Sequence, residues 1–266
     1  MTHLPNAPVQ YVLGVLRFPR ASDPGKLVAL TQEHIRDKYP ISAEFAAPQI
    51  QVEMGPDGLR VEEQQLKFWQ FSSLDKGWAV LIGSDMIALH TASYIDHDDF
   101  IRRFWEALEP AFADKVAGIQ FVQALAMRYV DVIEPNEGET LDQYLVPSVL
   151  PSNINIAGAE LDGGVMATSY RTSSGNLRLQ VLRRPPTVLP PELMNPMTVS
   201  NNWGQSRPAG DFAVLDMDHG QGFEPLRASK EVDVKALMLN LHSKIRSIFD
   251  AAVTPHAMTV WKRDRA

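Results

Sequence analysis

The 266-residue chain contains no cysteine. That excludes disulfides, thiol nucleophiles, Cys-ligated zinc and iron–sulfur clusters in one step, and it fits a reducing cytoplasm. Apolar runs of the ~18–20 residues that a membrane-spanning helix needs are missing. The first residues, Met1 to Arg20, lack a basic start followed by an apolar core and a small-residue cleavage site, so no signal peptide is expected. No Gly-Lys-Ser/Thr phosphate loop, Gly-x-Ser-x-Gly elbow, His-Glu-x-x-His or EF-hand spacing occurs. Gly163-Gly164 and Gly220-x-Gly222 are too sparse to cradle a nucleotide, and neither opens a helix after a strand as a dinucleotide fingerprint does. The sequence implies no cofactor.

What is present describes a folded protein. Apolar residues make up 45% and charged residues 21%, which is ordinary for a globular chain and far from the composition of disorder. The net charge of −7 is unevenly spread. Tyr94 to Asp142 holds eleven acidic and four basic residues, whereas Arg171 to Pro208 holds five arginines against Glu192 alone. Lys230 to Ala266 carries seven basic and four acidic residues. Fields of this polarity can guide a partner or self-association, and solvated faces produce the same imbalance.

Along the first half, Tyr11 to Phe18 reads as a strand. Asp23-Pro24 then caps a helix that Pro40 ends. Strands follow at Ile50–Met54, Leu59–Glu62, Leu66–Ser72, Trp78–Gly83 and Met86–Thr91, joined by short turns and therefore antiparallel. Asp96 is an expected N-cap, with Asp98 and Asp99 in the first turn. Phe100, Ile101, Phe104, Trp105, Leu108 and Phe112 form the apolar stripe, and Pro110 predicts a kink or break near Glu109. Ile119 to Ile133 is a long strand on which Arg128 and Asp131 point to opposite faces.

In the second half, Leu141–Leu145 reads as a short helix. Ile154–Leu161, Val165–Arg171, Leu177–Arg183 and Phe212–Met217 read as strands, with hairpin turns at Asp162-Gly163-Gly164 and Ser173 to Asn176. The Pro-rich stretch from Pro185 to Gly204 reads as an exposed excursion. Val234, Leu237, Leu241, Ile245, Ile248 and Ala252 mark a long helix over 233–252, which Thr254-Pro255 stops. The fold class is α+β: two halves, 1–134 and 135–266, each of antiparallel strands packed by a long helix, with the C-terminal helix across a curved sheet. The halves are either separate domains or one continuous domain.

Trp69-x-Phe71, Leu89-His90-Thr91, Tyr94, Phe100, Phe104, the strand Met127 to Ile133, and Leu241-His242 with Ile245, Phe249 and Thr254 resemble a sporadically distributed family of bacterial proteins of about this length. That family has no assigned function. The resemblance covers most of the chain and implies a bacterial, cytoplasmic protein, but no catalytic residues. The chain departs at Asp131, where the family more often carries Asn. Sporadic occurrence associates the family with horizontally moved genes, such as those of defence and toxin–antitoxin systems.

Candidate chemistry is thin. His97-Asp98-Asp99 and Asp216-x-Asp218-His219 have metal-ligand residue types, but cap and turn chemistry explain both. Glu62-Glu63 and Asp98-Asp99 are adjacent, so in a strand each pair would face opposite sides and not share acid–base work. Trp69, Trp78 and Trp105 read as core, His242 as a partly buried structural histidine, and Arg128 as one member of an ion pair. Arg178, Arg183, Arg184 and Arg207, with Trp203 in the following loop, form the candidate partner-binding set; beside them Arg171 completes a cluster able to grip phosphates. The leading expectation is a non-enzymatic protein-interaction subunit of a bacterial defence, antitoxin or immunity system, with a protein partner or self-association and no membrane. Two alternatives stay open: a small-ligand-binding protein or enzyme with a pocket between the sheet and the C-terminal helix, and a nucleic-acid-binding subunit, which the acidic pI of about 5.5 disfavours.

Overall fold

The computed structural model describes Leu4 and residues 6–55, 58–151, 156–194 and 208–262. Among the described residues nine strands form one antiparallel sheet. In chain order these are β1 (Val9–Arg17), β2 (Ile41–Gly55), β3 (Gly58–Ser72), β4 (Trp78–Ile82), β5 (Met86–Thr91), β6 (Phe121–Ile133), β7 (Gly164–Thr172), β8 (Gly175–Arg183) and β9 (Ala213–Ala228). Their order across the sheet is β2-β3-β4-β5-β1-β6-β9-β8-β7. The halves meet where β6 pairs with β9, Met127 opposite His219 and Arg128 opposite Asp218, so the sheet continues from one into the other.

Three long helices cover one face: α1 (Pro24–Ile35), α2 (His97–Ala113) and, after the short α3 (Leu141–Tyr144) and α4 (Pro191–Met194), α5 (Val234–Ala252). Asp23, Asp96 and Asp233 cap them, the first two as the sequence leads one to expect, each accepting a backbone N–H from the first turn. Beneath them Leu16, Leu89, Phe100, Phe104, Leu125, Leu179, Leu215, Met238 and Leu241 are buried in one continuous core. At Gly14 side chains of both α2 and α5 press on the sheet, since an added Cβ would lie 3.0 Å from Met238 Cε and from Phe100 Cε1. The last helix, α6 (Pro255–Lys262), tucks Trp261 against Phe249 and Tyr144, with ring centroids 5.8 and 6.1 Å away.

The opposite face is apolar as well, and this overturns one expectation. Tyr11, Leu13, Phe68, Leu81, Ala88, Val130 and Val214 are buried there together with Val188, Leu189, Leu193 and Phe212. The first part of the Pro-rich segment is thus a cover laid on the sheet and not an exposed excursion; 195–207 lies outside the described residues. Because both faces are covered, β4 and β5 are buried at every position, the pattern expected of strands packed on both sides.

Three further corrections concern boundaries. β9 runs through Gly220-x-Gly222 to Ala228 where a turn was expected. The glycines sit beside a register shift in the β6–β9 ladder, and glycine in a strand commonly marks such an irregularity or a close approach. That approach is Gly175 (φ 117°), where a Cβ would fall 2.0 Å from the Gly220 carbonyl oxygen. Residues 156–161 form no strand, because the chain turns at Gly158 with φ 75°. Pro110 does not break α2, which continues to Ala113. The ring sits in the final turn, so few bonds beyond it are lost.

Candidate functional site

A cleft of about 930 Å³ opens between the start of β1, the C-terminal part of β6, the N-terminus of α2 and the side of α5 that carries His242, Ile245 and Phe249. Its polar side chains come from three distant parts of the chain. β6 places Tyr129 and Asp131 on the helix-covered face, two residues apart and therefore on the same side. α5 contributes His242 and Arg246, one turn apart. The segment leading into α2 supplies Tyr94, Asp96, His97 and Asp98, while Pro8 and Val9 form a wall.

The rings make a chain. Tyr94 and Tyr129 meet edge-on at 5.4 Å, with their hydroxyl oxygens 2.9 Å apart. Tyr129 lies 5.8 Å from His242, and His242 stacks on His97 at 4.3 Å with the planes 3° apart. Burial, reinforced by His97 and Arg246, pushes the His242 imidazole down to about 4, so it is neutral at neutral pH. Burial also pushes both tyrosines above the ordinary phenol range.

Asp131 is the unusual member. It is 1% exposed, and among the described residues its Oδ1 has no hydrogen-bond partner. Burial pushes its carboxyl up to about 8, against a weaker opposing pull from Arg246. A buried carboxyl without a partner is costly, and buried polar atoms in folded proteins nearly always find one. Arg246 does not neutralise it by contact, because its guanidinium is held by Asp250 at 3.0 and 2.9 Å. At neutral pH the cleft therefore presents a carboxylic acid, a neutral imidazole and two phenols side by side.

The arginines singled out in the sequence lie elsewhere. Arg183 forks onto Asp211 and Arg184 also donates to it, each with Nε 3.0 Å from Oδ1, and Arg184 Nη1 donates to the Leu161 carbonyl at 2.9 Å. This clamp ties the end of β8 to the residues before β9. Arg178 stands opposite Asp218 in the β8–β9 ladder, near Tyr170, Arg171 and Asn176 in a shallow groove, and its Nε is buried without a partner among the described residues. Trp203 and Arg207 lie outside the described residues.

The two acidic-histidine clusters have structural employment. Asp96 accepts the Asp99 N–H at 2.8 Å, and Asp99 binds Arg102 and Arg103. Asp216 is fully buried and takes a two-pronged bond from Arg128, both distances 2.6 Å. His219 bridges Thr172 Oγ1 (3.0 Å) and the Leu241 carbonyl (3.2 Å), pinning α5 to the sheet. Arg128 and Asp131 do face opposite sides of β6, as their odd spacing requires. No three His, Asp or Glu side chains converge on a metal position among the described residues.

The sequence left open a pocket against the C-terminal helix but did not single out its residues, because its polar members are scattered over three segments. One signal was available: Asp131 interrupts an apolar strand at a core-facing position, between Val130 and Val132 and in step with Tyr129 and Ile133. A scan against protein-family models returned no match to this chain, and a search of the curated proteins returned none either.

Proposed function

We propose that this chain is a small-ligand-binding protein whose ligand seats in the cleft between the sheet and α5. The observation that carries this reading is the buried Asp131 carboxyl at the cleft wall, whose Oδ1 has no hydrogen-bond partner among the described residues. A group so expensive to hold in the free protein is economically explained by a ligand that supplies the missing partner. The cleft volume of about 930 Å³ falls within the roughly 300–1,000 Å³ of small-molecule sites. Apolar walls from Leu4, Ile245 and Phe249, with a few converging polar groups, match their usual composition. A thermal-shift screen of a chemically diverse small-molecule collection tests it. Compounds that stabilise the wild type and not Asp131→Asn support the reading, and a collection that stabilises both proteins equally or neither removes it.

A protein-interaction role, of the kind expected for a defence or antitoxin subunit, is the second reading, favoured by β7. That strand is the last in the sheet, so one backbone edge is unpaired within the sheet, and Val165 and Tyr170 on it are 64% and 48% exposed. Such an edge can accept an extended segment of another chain. No helix among the described residues is long and apolar enough to cross a membrane, and the absence of cysteine is compatible with a cytoplasmic setting.

A further inference from the structure

Resting on the ligand-binding reading, we infer that the cleft is built for a small organic cation, an ammonium group that pairs with Asp131 and lies against the rings of Tyr94, Tyr129 and His242. Three features converge on this chemistry. The first is the Asp131 Oδ1 itself, buried, unpartnered among the described residues and at the cleft wall. An ammonium provides both the hydrogen bond and the opposite charge that such an oxygen lacks.

The second is the ring chain. Tyr94, Tyr129, His242 and His97 follow one another at 5.4, 5.8 and 4.3 Å along the cleft. Aromatic faces attract a cation held within about 6 Å of the centroid, and surrounding a cationic centre with rings is a recurrent solution for amines. The Tyr94–Tyr129 hydroxyl pair at 2.9 Å keeps the two phenols fixed, so little ordering remains when a ligand arrives.

The third is the balance of charge. Apart from Asp131 itself, Asp96, Asp98 and Asp250 line the cleft against Arg246 as its one permanent cation among the described residues. Arg246 is already joined to Asp250 at 3.0 Å, which leaves an excess of carboxylate to draw positive ligands inward. An anionic ligand would meet those carboxylates and find its only guanidinium engaged.

The assignment has a pH signature. The groups facing Asp131 are Tyr129 on its own strand, Tyr94, Asp96, His97 and Asp98 before and at the start of α2, and His242, Arg246 and Asp250 on α5; Pro8 and Val9 of the β1 wall carry no charge. The carboxyl, held up near 8 by burial, must lose its proton to pair with an ammonium. Apparent affinity scales with the fraction of the competent, ionised form, and so rises about 50-fold between pH 6 and pH 8.

The experiment uses n-butylammonium, with 1-butanol and butyrate as the neutral and anionic analogues of similar shape, at constant ionic strength. Ring signals of Tyr94, Tyr129, His97 and His242 are followed by NMR. The inference predicts saturable shifts with n-butylammonium that strengthen from pH 6 to pH 8 and weaken at least tenfold in Asp131→Asn, whose backbone spectrum confirms the fold. If butanol or butyrate shifts the rings and butylammonium does not, the cleft is a ligand site but the cation assignment is wrong. If butylammonium binds equally well to Asp131→Asn, or independently of pH, the assignment is likewise wrong. Silence from all three probes overturns it, while the wider screen separately decides the ligand-binding reading.

Discussion

Replacing Asp131 by Asn should make the protein more stable above neutral pH, a direction opposite to that of most buried substitutions. The folded-state carboxyl titrates near 8, far above the 3.8 of an unperturbed aspartate. The fold therefore holds a proton between these values that the unfolded chain has released, and stability falls as pH rises through the folded value. The slope is about 1.4 kcal/mol per pH unit while the difference is complete, which gives a loss on the order of 2 kcal/mol between pH 6.5 and pH 9. His90 and His242, pushed down to about 3 and about 4 by burial, act in the opposite sense, because the unfolded chain takes up protons the fold refuses. Their contribution is present above about pH 6.5 and is lost as pH falls toward the folded values. The diagnostic window is thus pH 6.5 to 9, and subtracting the Asn variant removes the titrations that the two proteins share. Asparagine keeps the shape and neutrality of the protonated acid. Urea denaturation across this window should show the wild type weakening relative to Asp131→Asn by the stated amount. A difference that is flat with pH, or an Asn variant less stable at pH 9, would refute the argument that this carboxyl is desolvated and unpaired.

Other outcomes follow from the same geometry. Arg128→Ala leaves Asp216 fully buried without its two 2.6 Å bonds and should cost about 3–5 kcal/mol in urea unfolding. Gly14→Val drives branched carbons into Met238 and Phe100, whose nearest atoms lie 3.0 Å from an added Cβ. It should destabilise by about 1–3 kcal/mol and disturb the α2 and α5 amide signals more than those of α1. Asp233→Ala removes the side-chain cap that accepts the Ala236 N–H at 3.0 Å, and calorimetry should register a loss of about 1 kcal/mol.

Elements with a cap and a clear period were legible in the sequence. The three-and-four spacing from Val234 locates α5 to within a residue of its start, and the Asp96 cap locates the start of α2. Met86–Thr91 is bounded by turns and emerges with the expected limits. The long β2–β3 hairpin was only partly legible, because Ala46-Ala47-Pro48 does not look like strand. Its place at the sheet edge explains why proline is accepted there, since an outward N–H is not needed for the ladder. Gly220 and Gly222 imitated a turn because glycine serves equally at a bulge. Arg183 and Arg184 looked like a basic patch until Asp211, 27 and 28 residues away, was seen between them. The cleft was the least legible part. Tyr94 and His242 are ordinary singly, Asp131 stands out only as an acid within an apolar strand, and only the fold of the sheet against α5 makes them neighbours. His97 was visible, but its stacking on His242, 145 positions later, was not.

The account turns on whether the cleft receives a small molecule. The most direct measurement is a fragment screen with hits mapped onto assigned ring and amide signals of the intact chain. The account predicts that saturable hits converge on Tyr94, Tyr129, His97, His242 and the β6 amides around Asp131. Hits that map instead to the β7 edge or the Arg178 groove, with the cleft signals unmoved, would contradict it.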